Sequence, residues 1–143
     1  KGEITINTLL KTFESSAKVT GSKNQDLLQN YNKMARQFDA KNLEYIKSYL
    51  EELKNDGNPI KIDSLQKEMD NLLRRRYLYT LNFASTNGDN VIAPYIALTQ
   101  VNDANIIFLD TIASKLSDKV KKSKYGIEFI DFIKKRKISE SLD

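Results

Sequence analysis

A long apolar repeat in the first half of the chain constrains the fold more than any other feature. From Ser22 onward, large apolar residues recur at three- and four-residue steps over about eight turns, the period of one helix face. The members are Leu27, Tyr31, Met34, Phe38, Tyr45, Tyr49 and Leu53, with Asn42 in the one gap. The repeat stops at Asn55 to Pro59, because Gly57 can cap a helix and Pro59 cannot continue one. The pattern predicts a single long amphipathic helix.

A second repeat of the same kind begins near Asp63, where Asp63 and Gln66 have the spacing of a capping box. It comprises Ile62, Leu65, Met69, Leu72, Tyr79 and Phe83, and only Arg76 breaks it. Two long amphipathic helices joined by a short turn predict an antiparallel hairpin. Consecutive side chains in Arg74–Arg76 point about 100° apart on a helix and cannot converge on one phosphate. We therefore interpret them as a solvated face, with Arg76 lying over the hairpin seam.

Shorter helices are predicted after the turn at 87–90. The first covers about Val91 to Thr99, with Pro94 in its first turn. The second is marked by Leu109, Ile112, Ala113, Leu116 and Val120. The third begins after a cap at Ser123 and directs Tyr125, Phe129, Phe132 and Ile133 to the core. The sequence thus predicts an all-α fold, in which a long antiparallel helical hairpin is followed by about three shorter helices.

The N-terminal residues predict a short strand, since Lys1 to Ile6 alternate between polar and apolar side chains. A lone strand lacks a partner, so we expect it to be the remnant of a sheet that lies mostly upstream. Residues 7–21 are interpreted as a loop. The expected division is the end of an upstream β-domain and its connector in 1–21, a helical domain in 22–138 and the start of a linker in 139–143.

The chain lacks the residues of the common catalytic and metal sites. It has no Cys and no His, which removes the thiolate nucleophile, the usual general base near neutral pH and the commonest zinc ligand. It also has no Gly-rich phosphate loop. We therefore expect no catalytic residue, no cofactor and no metal. An enzyme that uses carboxylates or tyrosines remains an alternative, and it would require a concave pocket with perturbed carboxylates.

Positive charge is concentrated near the C-terminus. The net charge is +4, yet the segment from Lys119 to Lys137 holds eight basic residues against Glu128 and Asp131 and is therefore +6. Such a patch could bind nucleic acid or anionic lipid, but no exposed aromatic motif accompanies it, and cations are also favoured at helix C-termini. We expect no nucleic-acid partner. The sequence contains no run of 18 apolar residues, so no membrane span is predicted.

Seven tyrosines form another possible site, and Tyr31, Tyr45 and Tyr49 share the first long helix. They could line a ligand groove, or they could flank the core of a half-exposed helix. We favour the second interpretation.

Three short segments resemble a known family. The first six residues, Lys1-Gly-Glu-Ile-Thr-Ile, resemble the last strand of the small β-domain that opens many Bacteroidetes thioredoxin-like proteins. The segment of Gly21, Ser22 and Asn24, followed by Tyr31, resembles the entry into their helical insert. The segment of Ser123, Tyr125 and Gly126 resembles the Ser-x-Tyr-Gly that precedes their thioredoxin domain.

Members of that family are exported thiol–disulfide oxidoreductases of the thioredoxin and peroxiredoxin-like superfamily, whose Cys-x-x-Cys domain follows the helices. The resemblance implies a non-catalytic scaffold or interaction module of such a protein, a disulfide isomerase or thioredoxin-like enzyme, located in the cell envelope or periplasm. It implies as partners the protein's own thioredoxin-like domain, client proteins or a second copy. The alternative is a stand-alone helical module for protein–protein interaction or dimerisation.

Overall fold

The computed structural model describes residues 5–7, 18–55 and 57–141, and these residues form an all-α fold with one small β-ribbon. The helices are α1 (Lys23–Lys54), α2 (Pro59–Thr86), α3 (Ile92–Gln100), α4 (Ile106–Lys115), α5 (Asp118–Lys121) and α6 (Lys124–Glu140). The strands are β1 (Thr5–Asn7) and β2 (Lys18–Thr20). The predicted all-α class is confirmed.

The two longest helices form the predicted antiparallel hairpin. Tyr31 near the start of α1 contacts Thr80 near the end of α2, and Glu52 at the other end of α1 pairs with Lys61. The 32 residues of α1 and the 28 of α2 correspond to lengths of about 48 and 42 Å. At the tip, the amide of Gly57 donates to the carbonyl of Glu52 at 2.8 Å, and a Cβ on Gly57 would overlap that oxygen. Glycine is therefore required at this turn.

Helix α2 begins earlier than the sequence predicted. Its cap is Asn58, whose Oδ1 accepts a hydrogen bond from the amide of Ile60 at 2.9 Å, and Pro59 occupies the first turn. The predicted start near Asp63 is wrong, because Asn58 and Pro59 together supply the cap and the fixed φ of a helix start. Asp63 instead lies inside the helix and pairs with Lys67 at 2.6 Å.

Helices α3 to α6 pack against the base of the hairpin, and we call them, with the hairpin residues they cover, the head. Most buried side chains lie here, and they include three alanines of one cluster that are fully buried: Ala84 on α2 and Ala93 and Ala97 on α3. A larger cluster joins α2 to the short helices through residues such as Leu109, Ile112 and Phe129. A smaller one joins Tyr31 and Ala35 of α1 to Phe83, Ile92 and Ile96.

Beyond the head the hairpin continues as a two-helix arm, which we define as residues 36–54 of α1 and 59–71 of α2. No side chain of the arm is buried. Leu53, which the sequence placed in the apolar stripe of the first helix, is 49% exposed, and Met34 of the same stripe, just before the arm begins, is 38% exposed. The arm therefore has a seam of half-buried residues, and no third layer from the described part of the chain covers its outer faces.

The segment predicted as one helix around Leu109 to Val120 is divided into α4 and α5. The backbone of Leu116 is extended, and the amide of Ser117 donates to the carbonyl of Gly88 at 3.1 Å instead of continuing the helix. A Cβ on Gly88 would overlap the carbonyl of Lys115. The described chain thus has four short helices where about three were expected. The extra break arises because Gly88, in the loop after α2, packs against the backbone between α4 and α5.

The two ends of the chain also differ from expectation. Strand β1 pairs antiparallel with β2, with Ile6 opposite Val19, so the strand expected to be alone has a partner in the segment expected to be a loop. Helix α6 runs to Glu140, two residues past the predicted boundary at 138. Residues 1–4 of the predicted strand, 8–17 of the predicted loop and 142–143 of the predicted linker lie outside the described residues.

Candidate functional site

Three of the seven residues that carry the family resemblance line one groove. Ser22 and Asn24 contribute from the start of α1, and Tyr125 contributes from the start of α6. The groove has a volume of about 370 Å³, and its other walls are Gln25, Leu28, Val91, Ile92 and Tyr95. Asn24 Oδ1 accepts from the amide of Ile92 at 3.1 Å, which fixes the start of α3 to the start of α1. The rings of Tyr95 and Tyr125 meet edge-on at 5.1 Å between centroids.

Three more of the resemblance residues shape the backbone at helix starts. Gly21 has φ of 100°, a left-handed conformation between β2 and α1 that favours glycine. Ser123 is the predicted cap of α6: its hydroxyl accepts from the amide of Gly126 at 3.2 Å and donates to the carbonyl of Val120 at 2.6 Å. A Cβ on Gly126 would overlap that same carbonyl. The residue types at these positions follow from local geometry.

Tyr31, the last resemblance residue, is buried in the seam. Its hydroxyl lies 3.0 Å from Oγ1 of Thr80, and its ring stacks on Tyr79 with centroids 5.7 Å apart. Burial raises the pKa of Tyr79, and the neighbouring Tyr31 adds a smaller upward contribution. The cluster also contains Phe83, whose ring centroid is 5.1 Å from that of Tyr31. Tyr31 therefore joins the two long helices.

The other two tyrosines of α1 lie along the arm's seam. Tyr45 donates to Glu68 at 3.4 Å, and the hydroxyl of Tyr49 accepts from Gln66 at 3.2 Å. Both rings are half-buried, as expected for tyrosines that flank a seam. They form part of the contact between α1 and α2.

The three consecutive arginines point in different directions. Arg76 crosses the seam to Asp39 at 2.9 Å, in line with the prediction that it lies over the hairpin seam. Arg75 donates to the carbonyl of Asn71 one turn back. Arg74 and Arg75 border one groove with Glu68, and Arg74 also lines a second cavity with Arg76. None of the described grooves is lined by all three arginines.

The basic segment is partly engaged within the fold. Arg136 donates to the carbonyls of Asn102 and Ala104 at 2.9 and 2.7 Å and pairs with Glu140 at 2.5 Å. Lys137 pairs with Asp110 at 2.6 Å. Arg136 thus holds the loop between α3 and α4 against α6, which gives this part of the segment a structural role.

The described residues contain no group of three or more acidic or other metal-ligating side chains that could hold a metal ion. Besides Tyr79, a pKa is shifted in the exposed pair of Lys41 and Glu44, whose hydrogen bond raises the pKa of the lysine and lowers that of the glutamate. Neither residue lines a groove or cavity described in this section. Within the same residues, no helix is both long and apolar enough to cross a bilayer.

An exposed apolar row on the arm is the feature that the sequence analysis did not single out. We call Leu43, Ile46, Leu50 and Leu53 the bare row. Their exposed fractions are 53, 37, 49 and 49%. They follow the 3-4-3 spacing of one helix face, displaced by one position from the seam residues Asn42, Tyr45 and Tyr49. The sequence signal for this second apolar face was the presence of two series with the same spacing, one position apart.

The same helix face is covered nearer the base. Counting back from Leu43 by helical steps leads to Asp39, Ala35 and Leu28, and the last two belong to the cluster that packs on α3. A cavity of about 440 Å³ opens where α3 ends, between Thr99, Gln100 and Val101 on one side and Leu73, Arg76 and Tyr77 on the other. Leu73 is 52% exposed. The groove of the hairpin is therefore filled by α3 in the head and open along the arm.

Comparison with protein-family models, curated proteins and solved structures finds no match for this chain. The thioredoxin-like resemblance of Gly21, Ser22, Asn24, Tyr31, Ser123, Tyr125 and Gly126 stays a prediction.

Proposed function

We propose that this chain is a non-catalytic helical interaction module that binds another protein through its arm. The bare row carries the proposal. Single exposed apolar residues are ordinary on protein surfaces, but four in one helix row, in line with a covered section of the same row, form a continuous contact face. Amphipathic helices commonly dock into grooves of this kind.

Burial of the bare row would contribute only modestly to the free energy of binding. Complete burial of a Leu or Ile side chain contributes about 1.5–3 kcal/mol, so covering the exposed half of each row residue contributes about 1 kcal/mol. Association costs at least about 4 kcal/mol in lost translational and rotational freedom. The four residues of the bare row together offset about that cost and leave little net free energy of binding. A specific complex therefore needs further contacts beside the row.

Site-specific photo-cross-linking in the native host tests this proposal. A photoreactive residue in place of Leu50 should give a discrete adduct with a protein, and the second substitution Ile46→Asp should remove it. The matched control is the same residue in place of Leu78, which is also 49% exposed but lies away from the bare row. No adduct at position 50, or equal adducts at both positions, would contradict an arm-mediated interaction.

We also propose, as the resemblance implies, that the module belongs to an exported thiol–disulfide oxidoreductase of the cell envelope. Its support is the set of matching residues, of which Ser22, Asn24 and Tyr125 share one groove. In that setting the chain positions a redox domain or presents it to a client. The native reading frame should continue into a Cys-x-x-Cys domain, and a stop codon directly after Asp143 would refute this proposal.

A further inference from the structure

We infer that the protein bound by the arm is a second copy of this chain, placed antiparallel so that the two bare rows pack against each other about a two-fold axis. This inference rests on the proposed function and names the partner. Three observations carry it: the symmetric spacing of the bare row, the charges that border the row, and the distance from the tip of the hairpin to the end of α3.

The spacing of the bare row is the same in both directions along the helix. Its steps are three, four and three residues, so reversal of the helix leaves the pattern unchanged. In an antiparallel pair, Leu43 therefore meets Leu53 of the second copy, and in the same register Ile46 meets Leu50 of the second copy. The two-fold axis repeats both contacts, as in the self-complementary interfaces of homodimers. Each row thus covers the exposed part of the other.

The charges that border the bare row complement their own reversed order. On the side away from the seam, one position after each row residue, the border consists of Glu44, Lys47, Glu51 and Lys54. The antiparallel register brings Glu44 close to Lys54 of the second copy, and Lys47 close to Glu51 of the second copy. A parallel pair would instead place each charge beside its own counterpart, and like charges repel. The border therefore favours an antiparallel second copy.

These border residues are available for contacts between two copies. All four are exposed, and three of them form no salt bridge with a described residue: Lys47, Glu51 and Lys54. Glu44 pairs with Lys41 of its own helix, but both side chains are exposed, at 65 and 50%, and exposed pairs of this kind contribute little to stability. Glu44 can therefore change its partner at small cost.

The length of the arm fits the same register. The pairing of the two bare rows places Gly57 of the second copy, at the tip of its hairpin, level with Asp39. Helix α3 ends short of that level, because the cavity at its end is lined by Tyr31 and by Arg76, which pairs with Asp39. The second arm therefore fits into the open part of the groove without displacing α3, and the two heads lie at opposite ends of the paired arms.

Engineered cysteines test the register in the full chain, which has no cysteine of its own. Leu43→Cys and Leu53→Cys are made in separate chains, one of them tagged to change its mass, and are mixed and oxidised. The mixed disulfide should form readily. Neither variant should cross-link to itself, because a disulfide needs Cα atoms about 4.4–6.8 Å apart and like positions lie about 15 Å apart along the axis.

Sedimentation over a series of concentrations tests the association and the charges. The contact is small, so the native chain should form a dimer that dissociates on dilution. Leu50→Asp should abolish the dimer. Lys47→Glu should weaken it about tenfold by placing two glutamates together, and the double variant Lys47→Glu, Glu51→Lys should restore it by re-forming the opposite-charge pairs. The control is Ile127→Asp on α6, at a position 52% exposed and remote from the arm, which should leave the dimer unchanged.

A native chain that stays monomeric at every concentration would overturn the inference. Self-cross-linking of Leu43→Cys as fast as the mixed disulfide, or failure of the second charge substitution to restore the dimer, would overturn it as well. A monomer that still gives the photo-cross-linked adduct at position 50 with a different protein would remove only the second copy and leave the proposed function standing. Loss of both the dimer and the adduct would remove the proposed function too.

Discussion

The hydroxyl of Tyr31 donates a hydrogen bond to Thr80 across the seam, where the arm joins the head. The two oxygens lie 3.0 Å apart, and each residue is only 2% exposed. Thr80 has one hydroxyl hydrogen and uses it on the carbonyl of Arg76 at 3.0 Å, so the hydrogen between the two side chains comes from Tyr31. In this bond Tyr31 is the donor and Thr80 is the acceptor, so substitutions of the two residues should have different effects.

Removing the acceptor should therefore cost more than removing the donor. Thr80→Val leaves the buried hydroxyl of Tyr31 without a partner and should lower the free energy of unfolding by about 1–3 kcal/mol. Tyr31→Phe should cost about 0.5–1.5 kcal/mol. The double variant should cost less than the sum of the two, because the pair interacts directly. Urea denaturation of the three variants measures this, and additive effects would contradict the bond.

Stability should fall in alkaline solution because of Tyr79. Its pKa is raised from the ordinary value of 10.0, chiefly by burial. The folded state therefore holds this proton more tightly than the unfolded state, so the stabilisation is complete below pH 10 and declines as the pH rises toward the folded pKa. Tyr79→Phe should flatten that decline. Unfolding experiments across this range test it, and an unchanged slope would exclude Tyr79 as the cause.

The start of α2 can be tested with two neighbouring substitutions. Asn58→Ala removes the cap and should lower the local opening free energy of the first turn of α2 by about 0.5–2 kcal/mol. Asp63→Ala, at the cap position that the sequence predicted, removes only an exposed pair with Lys67 and should change little. Native-state hydrogen exchange at Ile60 and Ile62 reports the difference. A larger effect at Asp63 would move the helix start back to the predicted position.

Gly126 should tolerate no side chain. Gly126→Ala places a Cβ against the carbonyl of Val120, which Ser123 also contacts, so α6 must shift away from α5. Overpacking of this kind costs about 1–3 kcal/mol, visible as a lower melting temperature. Ser139→Ala, near the exposed end of the same helix, is the control and should have little effect. Equal stability of Gly126→Ala and the native chain would show that the approach is looser than described.

Periodicity over many turns made the hairpin predictable. The series through Tyr31, Tyr45 and Tyr49 and the series through Leu65, Leu72 and Phe83 each repeat often enough to define a helix face. The cap at Ser123 was also predictable, because its hydroxyl acts within three residues of its own position. Features set by local spacing could therefore be read from the chain.

Features set by distant contacts could not. No glycine or proline marks the break at Leu116, which depends on Gly88 arriving from the end of α2. Strand β2 has three residues, too few for an alternating pattern to stand out. The bare row shares its 3-4 spacing with the seam residues beside it, and spacing alone does not tell which of two adjacent faces a neighbouring helix will cover. Leu43, Ile46 and Leu50 are left uncovered because α3 is only nine residues long and ends before it reaches them.

Among the residues that the structure describes, none forms a third layer on the arm, and this affects how a bound partner would change its dynamics. Opening of the tip breaks only half-buried contacts and costs less than disrupting the head, so amide protection along α1 should decline from Tyr31 to Leu53. A helix seated on the bare row would supply the missing layer where protection is lowest. Docking would then slow amide exchange most at the far end of α1, near Leu53. The increased rigidity of the arm would therefore be a direct measure of binding.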